Sequence, residues 1–117
     1  GTCIRDYIDV DDLCAAHLLA LGKLSAGTEF KLYLGTGRGH SVREIIKACR
    51  EVTGCEIPAA VGERREGDPA ELVADPTLAR KLLGWEARYQ DIQEIISTAW
   101  AWHQANPHGF SVSEASD

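Results

Sequence analysis

Four helical segments, each with its own start signal, constrain the fold of this 117-residue chain more than any other feature. Apolar residues recur in them with the 3.6-residue period of a helix that buries one face. A capping residue precedes each segment, in chain order Asp9, Ser41, Asp75 (with Pro76 in the first turn) and Asp91. Stop signals follow them at Gly22, Gly54, Gly84 and Pro107. Because the chain is short, the four helices are predicted to share at most one domain.

The same period predicts which side of each helix is buried. In the first helix the buried set is Leu13, Cys14, Leu18 and Leu21, with His17 on the same face as a buried residue. In the second helix it is Val42, Ile45, Ile46 and Cys49. The tryptophans at positions 85, 100 and 102 are predicted to pack in the core or under loops.

Strand signals are few and short. Residues 30–34 are the best candidate, residues 57–61 the second, and residues 3–8 a third that would add an extended edge. The fold class is therefore α/β, with about four helices and three short strands. Residues 111–117 are mostly Ser, Glu, Ala and Asp, and we predict that they form a disordered tail.

A charged loop at residues 64–68 is the strongest functional signal, and it reads Arg64-Arg65-Glu66-Gly67-Asp68. A guanidinium group can donate two parallel hydrogen bonds to the oxygens of one phosphate, and a nearby carboxylate accepts hydrogen bonds from sugar hydroxyls. The alternative is a solvated loop in which Arg64 or Arg65 pairs with an adjacent glutamate at position 63 or 66. Similarly, Arg5 either binds a ligand or forms an ion pair with an acidic residue at position 6, 9 or 12.

The overall charge narrows the class of partner. Twelve basic and 18 acidic residues give a net charge of −6, which excludes nucleic acid as an expected partner because a phosphate backbone requires a basic face. No apolar run reaches the roughly 20 residues that cross a bilayer, so a membrane partner is not expected either. An acidic chain with one cationic loop favours a small anionic ligand.

Other candidate motifs carry no predicted chemistry. The loop Gly35-Thr36-Gly37-Arg38-Gly39 fails the dinucleotide pattern, because His40 occupies the position of the third glycine. No two of the four cysteines have the C-x-x-C spacing of a zinc site. Reduced thiols without a chemical role indicate a cytoplasmic protein. No metal site and no catalytic residue is predicted in this chain.

The order of several motifs resembles a known family. They are Gly1-Thr2-Cys3-Ile4-Arg5-Asp6-Tyr7-Ile8-Asp9-Val10, Leu34-Gly35-Thr36-Gly37, Ser41-Val42, the 64–68 loop, Ala74-Asp75-Pro76, Leu83-Gly84-Trp85 and Asn106-Pro107-His108-Gly109-Phe110. This series resembles the C-terminal portion of the UDP-glucose 4-epimerase family, which belongs to the extended short-chain dehydrogenases/reductases. The likeness covers residues 1–110, the expected UDP-sugar-binding portion, and about the last third of such an enzyme.

The resemblance implies a set of substrate-binding residues. Arg5 and Arg65 would contact the diphosphate, Asp68 the uridine ribose, and Gly67 would let the backbone turn closely against the ligand. The implied set is completed by Glu66 and by Leu72, which stands where some members have tyrosine or cysteine in the sugar pocket. Arg64 would be a supporting partner and Tyr7 a packing residue. Asp9 replaces the histidine of many members and is interpreted as a helix cap.

The resemblance also implies the reaction of the whole enzyme, the NAD-dependent interconversion of UDP-glucose and UDP-galactose. A Tyr-x-x-x-Lys pair, which the family requires, does not occur in this sequence, so the chain is expected to be inactive alone. Two alternatives are a fragment of another nucleotide-sugar enzyme of the same family and a free-standing binding or oligomerisation module. Without the rest of the enzyme, an exposed apolar face would favour a homodimer.

Overall fold

Four helices and a small mixed sheet make up the computed structural model, which describes residues 2–110. In chain order the elements are β1 (Ile4–Arg5), α1 (Val10–Lys23), β2 (His40–Ser41), α2 (Val42–Thr53), β3 (Glu71–Leu72), α3 (Thr77–Leu83) and α4 (Ile92–Ala105). The predicted fold class is confirmed. The predicted tail at 111–117 lies outside the described residues.

The sheet has the strand order β2-β1-β3. Strand β1 pairs antiparallel with β2, with Arg5 opposite His40, and parallel with β3, with Arg5 opposite Leu72. The prediction of a strand within residues 3–8 is confirmed, but the strands predicted at 30–34 and 57–61 are wrong. Apolar content alone does not make a strand, because a strand also requires a neighbour for its backbone hydrogen bonds. Residues 30–34 instead pack side chains such as Leu32 and Leu34 against the core.

The helix caps follow the sequence closely. Asp9 accepts a hydrogen bond from the Asp11 amide at 2.9 Å, and the Ser41–Glu44 pair forms a reciprocal capping box at the start of α2. Asp91 caps α4 in the same way as Asp9 caps α1. The start of α3 is shifted by one residue, because Pro76 takes the cap position. The predicted cap, Asp75, still accepts hydrogen bonds from Thr77.

The predicted buried face of α1 is wrong. Leu18 and Leu21 are 71% and 69% exposed, and Cys14 and His17 are exposed as well. The buried residues are Asp12 and Ala16. The segment that follows α3 packs on that side through polar contacts: the Trp85 indole donates to the Asp12 carbonyl at 2.8 Å, and the Tyr89 amide donates to the Asp12 carboxylate at 3.0 Å. These contacts leave the leucine side of α1 open.

The core is small and lies between α1, α3 and the segment after α3. Its buried members are Ala16, Ala79, Leu83, Trp85 and Ala87. Trp85 is buried as predicted, whereas Trp100 is half-buried and Trp102 is 45% exposed. A second contact packs α2 against α4. Strands β1 and β2, which precede α1 and α2 and pair with each other, connect the α1–α3 pair to the α2–α4 pair.

Candidate functional site

Arg5 and Asp68 meet beside the sheet, although they are 63 positions apart in the sequence. The Arg5 guanidinium donates from Nη2 to Asp68 Oδ1 at 2.6 Å, and both side chains are about one quarter exposed. Nη1 donates to the carbonyl of Ile4 at 2.7 Å. Arg5 therefore pairs with Asp68, and the alternative ion pair with a carboxylate at position 6, 9 or 12 is wrong. Two residues that the family resemblance assigns to one ligand lie together in this structure.

The loop before β3 closes through a tight turn. The Asp68 amide donates to the Arg65 carbonyl at 3.4 Å, and Gly67 has φ of +78° within this turn. A side chain is strained at such a φ, so glycine is the residue that allows the turn to form. The turn places Arg65 and Asp68 at one end of the loop, with Glu66 exposed between them.

A groove of about 730 Å³ lies between this loop and α2. Its cations are Arg43, Lys47 and Arg50 from α2 and Arg64 and Arg65 from the loop, and its carboxylates are Glu63 and Asp68. Apolar side chains from Val42, Ile46 and residues 59–61 form the remaining wall. The groove thus combines an apolar surface with an excess of positive charge on a chain that is acidic overall. Such a combination suits a ligand with a flat apolar part and an anionic part.

Within residues 2–110, the salt bridges do not include the alternative pairing of Arg64 or Arg65 with a neighbouring glutamate. Both arginines are exposed and line the groove. Arg50, in contrast, donates through its guanidinium to the Ile57 carbonyl and fixes the far wall. The positive charges of Arg64 and Arg65 are therefore available to a ligand bound in the groove.

Leu72 lies on β3 directly opposite Arg5 and is 52% exposed. Opposed residues in neighbouring strands project to the same face of a sheet. Leu72 therefore presents an open apolar side chain next to Arg5, on an edge strand of the sheet.

Asp6 organises the strand ends around the site, a role that sequence reasoning missed. Its Oδ1 accepts from the amide and the hydroxyl of Thr36 at 2.9 and 2.7 Å. Its Oδ2 accepts from the amides of Gly37 and Ala74 at 2.9 and 3.3 Å. One carboxylate therefore ties β1 to the glycine loop and to the segment after β3. The only signal in the sequence is the Arg5-Asp6-Tyr7 triplet itself.

The contacts of Asp6 also explain the glycine loop. A Cβ at Gly35 would lie 2.5 Å from Asp6 Oδ2 and 2.7 Å from the Cβ of Ala74. The amides that a dinucleotide phosphate would need already donate to Asp6. The loop residues therefore do not fit NAD, and their glycines are required by the protein's own packing.

Asp9, the predicted cap, has a second partner that sequence reasoning also missed. It is only 2% exposed, and its Oδ2 accepts from the hydroxyl of Thr98 on α4 at 2.6 Å. A buried carboxylate requires such partners, because an unpaired one is costly. Nothing in the spacing of the two residues, 89 positions apart, indicates this contact.

Tyr7 is partly buried near Cys3 and Arg5. Burial, and to a lesser extent the nearby Cys3 thiol, raise the pKa of its phenol above the ordinary value. The phenol therefore stays protonated and uncharged at neutral pH, and its packing role stays a prediction.

Residues 2–110 contain no cluster of three or more His, Cys, Asp or Glu side chains that could hold a metal ion. The cysteines are free thiols, and two of them, Cys14 and Cys55, are exposed. Among the helices of the same residues, none is long and apolar enough to cross a membrane.

No family model matches the chain. Individual proteins do match it over nearly its whole length. The UDP-glucose 4-epimerase of Halalkalibacterium halodurans is 48% identical over 112 residues, which are 95% of this chain and 34% of that protein. A protein of Arabidopsis thaliana named probable UDP-arabinose 4-epimerase 3 is 44% identical over 113 residues, 97% of this chain and 28% of that protein.

Solved structures give the same result for the fold. A crystal structure of a UDP-glucose 4-epimerase aligns with a TM-score of 0.84 and 55% identity, covering 96% of this chain and 34% of that one. The enzyme of Bifidobacterium longum, in complex with NAD+ and UDP, aligns with a TM-score of 0.83 and 40% identity, covering 93% and 32%. The chain therefore spans about a third of the length of its relatives. The predicted resemblance to the C-terminal portion of UDP-glucose 4-epimerases is confirmed.

Proposed function

We propose that this chain, which corresponds to the C-terminal portion of UDP-glucose 4-epimerases, holds the uridine diphosphate group of a UDP-sugar. Residues 1–110 would form this UDP-sugar-binding portion. The observation that carries the proposal is the pairing of Arg5 with Asp68 beside a cationic groove. A relative of the same fold was crystallised with UDP, which supports the choice of ligand.

Each predicted residue has a role that its position allows. Arg5 uses two of its five N–H groups on Asp68 and Ile4, and the others remain for phosphate oxygens. Asp68 has one carboxylate oxygen, Oδ2, that accepts no hydrogen bond from residues 2–110, and this oxygen would accept from a ribose hydroxyl. Arg65, exposed at the other end of the turn, would bind the diphosphate from the opposite side.

The apolar wall of the groove would take the uracil ring. Val42 and Ile46 project from one face of α2, and residues 59–61 lie opposite them. A ring between these walls would gain from burying its faces, while the charged loop holds the phosphates. Glu66 is exposed within this loop and Leu72 lies opposite Arg5 on β3, where the sugar would follow the diphosphate.

The identity of the sugar is a separate question from the binding of the UDP group. The relatives named above act, by their names, on UDP-glucose in one case and UDP-arabinose in the other. We propose the interconversion of UDP-glucose and UDP-galactose for the whole enzyme, with another UDP-sugar reaction of the same family as the alternative. The UDP group is common to both, and the residues of this chain are assigned to that group alone.

The chemical step would take place outside this chain. NAD, present in several of the related structures, supplies hydride transfer when it is bound to the whole enzyme. The residues of this chain bind and orient the nucleotide and contain no Tyr-x-x-x-Lys pair. We therefore propose that the chain alone binds UDP-sugars without converting them. Its cytoplasmic location stays a prediction.

Calorimetric titration with UDP and with UDP-glucose tests the proposal. Both ligands should bind, and Arg65→Ala should weaken both by about tenfold or more, since hydrogen bonds to charged groups contribute about 1.5–3 kcal/mol. Arg80→Ala is the matched control, because Arg80 pairs with Glu86 away from the groove lining. Absence of binding by a folded sample, or equal binding by Arg65→Ala, would contradict the proposal.

A second candidate function rests on the open side of α1. Val10, Leu18, Leu21 and Leu24 are each more than half exposed, and they belong to or adjoin one helix. Exposed apolar area of this kind is typical of an interaction surface. A homodimer through this face would cover it in the isolated chain. Sedimentation measures this directly: Leu18→Glu should shift a dimer to a monomer, and a wild-type monomer at high concentration would exclude the dimer.

A further inference from the structure

Three residues form a row across the sheet, and one of them, His40, has not been assigned a role in the proposed UDP-sugar site. Arg5 lies opposite His40 of β2 on one side and opposite Leu72 of β3 on the other. Opposed residues place their Cβ atoms about 4.5–5.5 Å apart on one face. His40 is thus the direct neighbour of Arg5, in the same row as two residues already assigned to the ligand.

The row lies on the face of the sheet that adjoins the groove, as Cys3 and Asp68 indicate. Cys3, two positions before Arg5, and Asp68, the ion-pair partner of Arg5, both line the groove, whereas His40 itself is not among its lining residues. Side chains two positions apart in a strand project to the same face. The Val42 amide donates to the Cys3 carbonyl at 3.2 Å, which continues the pairing of β1 and β2 to this point. Ile4 projects to the opposite face, where its side chain would overlap a Cβ at Gly39.

We propose that His40 is a further diphosphate-binding residue and that its protonation strengthens the binding of a UDP-sugar. This inference rests on the proposed function. Histidine is the side chain whose ordinary titration falls between about pH 5 and 8. When protonated, it offers two N–H donors and a full positive charge next to Arg5. When neutral, it offers one donor and no charge.

Charged groups surround His40 from each neighbouring element. The cations on these elements are Arg5 on β1, Arg38 two residues before His40 and Arg43 on α2. The carboxylates are Glu44 on α2 and Asp68 in the loop before β3. Hydrogen bonds from Ser41, and to a lesser extent the charge of His40, hold the pKa of the Glu44 carboxyl below its ordinary value. Leu72 on β3 adds no charge. Asp68 is already paired with Arg5, so a bound diphosphate would be the main new negative charge near His40.

Calorimetric titration with UDP-glucose at about pH 5.5 and about pH 8 tests this inference. UDP-glucose is the suitable probe, because both of its phosphates are esterified and its charge stays constant over this interval. The wild-type chain should bind about three- to tenfold more tightly at the lower pH, as expected for one partly screened charge near the phosphates. Binding at intermediate pH should take up protons, which is measured by repeating the titration in buffers of different ionisation enthalpy.

Matched variants separate a ligand contact from a structural role. His40→Gln keeps a donor and removes the charge, so its affinity should not vary with pH by more than about twofold. His40→Lys should bind tightly at both values. His17→Gln is the control, because His17 is exposed on α1, which contributes no residue to the groove lining and does not pair with the strand of Arg5. Far-ultraviolet circular dichroism checks that each variant is folded.

The outcomes distinguish this inference from the function on which it rests. If His40→Gln keeps the wild-type pH dependence and proton uptake while Arg65→Ala weakens binding, the UDP site stands and the role of His40 is refuted. If no variant and no wild-type sample binds UDP-glucose at either pH, both proposals are refuted. A flat profile for His40→Gln alone, with proton uptake lost, supports the inference.

Discussion

Replacing Asp6 by alanine should destabilise the fold more than any other single change at a half-buried position near the site. The carboxylate accepts four hydrogen bonds at 2.7–3.3 Å, from Thr36, Gly37 and Ala74. These donors belong to two segments that are distant in the sequence. Without the carboxylate, three backbone amides lose their acceptor at once, and the segments lose the group that joins them to β1.

The size of the effect follows from the kind of bond that is lost. A hydrogen bond to a charged group contributes about 1.5–3 kcal/mol when it is well formed. Asp6 is only half-buried, so water would satisfy part of what the alanine variant loses. We therefore expect Asp6→Ala to lower the free energy of unfolding by about 3–4 kcal/mol. That is a large share of the roughly 5–15 kcal/mol that stabilises an ordinary domain.

Urea denaturation, followed by tryptophan fluorescence, measures this loss, because unfolding exposes the buried Trp85. Thr36→Val is the matched control: it removes one of the four hydrogen bonds to Asp6, together with the exposed contacts of the Thr36 hydroxyl with the Arg38 backbone, and should cost about 1–2 kcal/mol. A loss below about 1 kcal/mol for Asp6→Ala, or a loss equal to that of the control, would refute the idea that Asp6 joins these segments.

Three smaller predictions concern single contacts. Gly35→Ala should destabilise the chain by about 1–3 kcal/mol, because its Cβ would overlap protein atoms. Gly22→Ala in α1 meets nothing within 4 Å and should stabilise the chain slightly. Thermal melting compares the two variants. Hydrogen bonds from Ser41 lower the pKa of the Glu44 carboxyl. The stability that they contribute is therefore present at pH values above the ordinary pKa of a glutamate, and it is lost as the pH falls through the lowered pKa of Glu44. Ser41→Ala should reduce that acid dependence in urea titrations below about pH 4.5, and an unchanged dependence would contradict it. Thr98→Val should cost about 1–3 kcal/mol by removing a partner from the buried carboxylate that caps α1, and a neutral result in the same assay would contradict this contact.

The sequence predicts local features of this chain well and packing less well. The capping residues Asp9, Ser41 and Asp91 act within three residues of their partners, so a short stretch of sequence contains the whole interaction. The buried side of α1 depends on which segment packs there. Trp85 and Tyr89 bring polar donors to Asp12, and no periodicity in α1 indicates that choice.

The candidate site divides in the same way. The family resemblance predicts Arg5, Arg65 and Asp68, and the structure brings Arg5 and Asp68 into contact. The roles of Asp6 and His40 depend on backbone pairing between distant segments. Sequence reasoning considered His40 only as the residue that breaks a glycine pattern. The position of His40 opposite Arg5 follows from the register of β1 and β2, which the sequence does not indicate.

Backbone amide NMR during a titration with UDP tests the central claim most directly, because it shows where on the chain the nucleotide binds. The account predicts that the amide signals of Arg5, Val42 and residues 65–68 shift together with one saturation curve. The signals of α1 should stay in place, since its open side is not part of the groove. Shifts confined to α1 or to α4, or an unchanged spectrum of the folded chain at saturating UDP, would contradict the claim that this portion holds the uridine diphosphate.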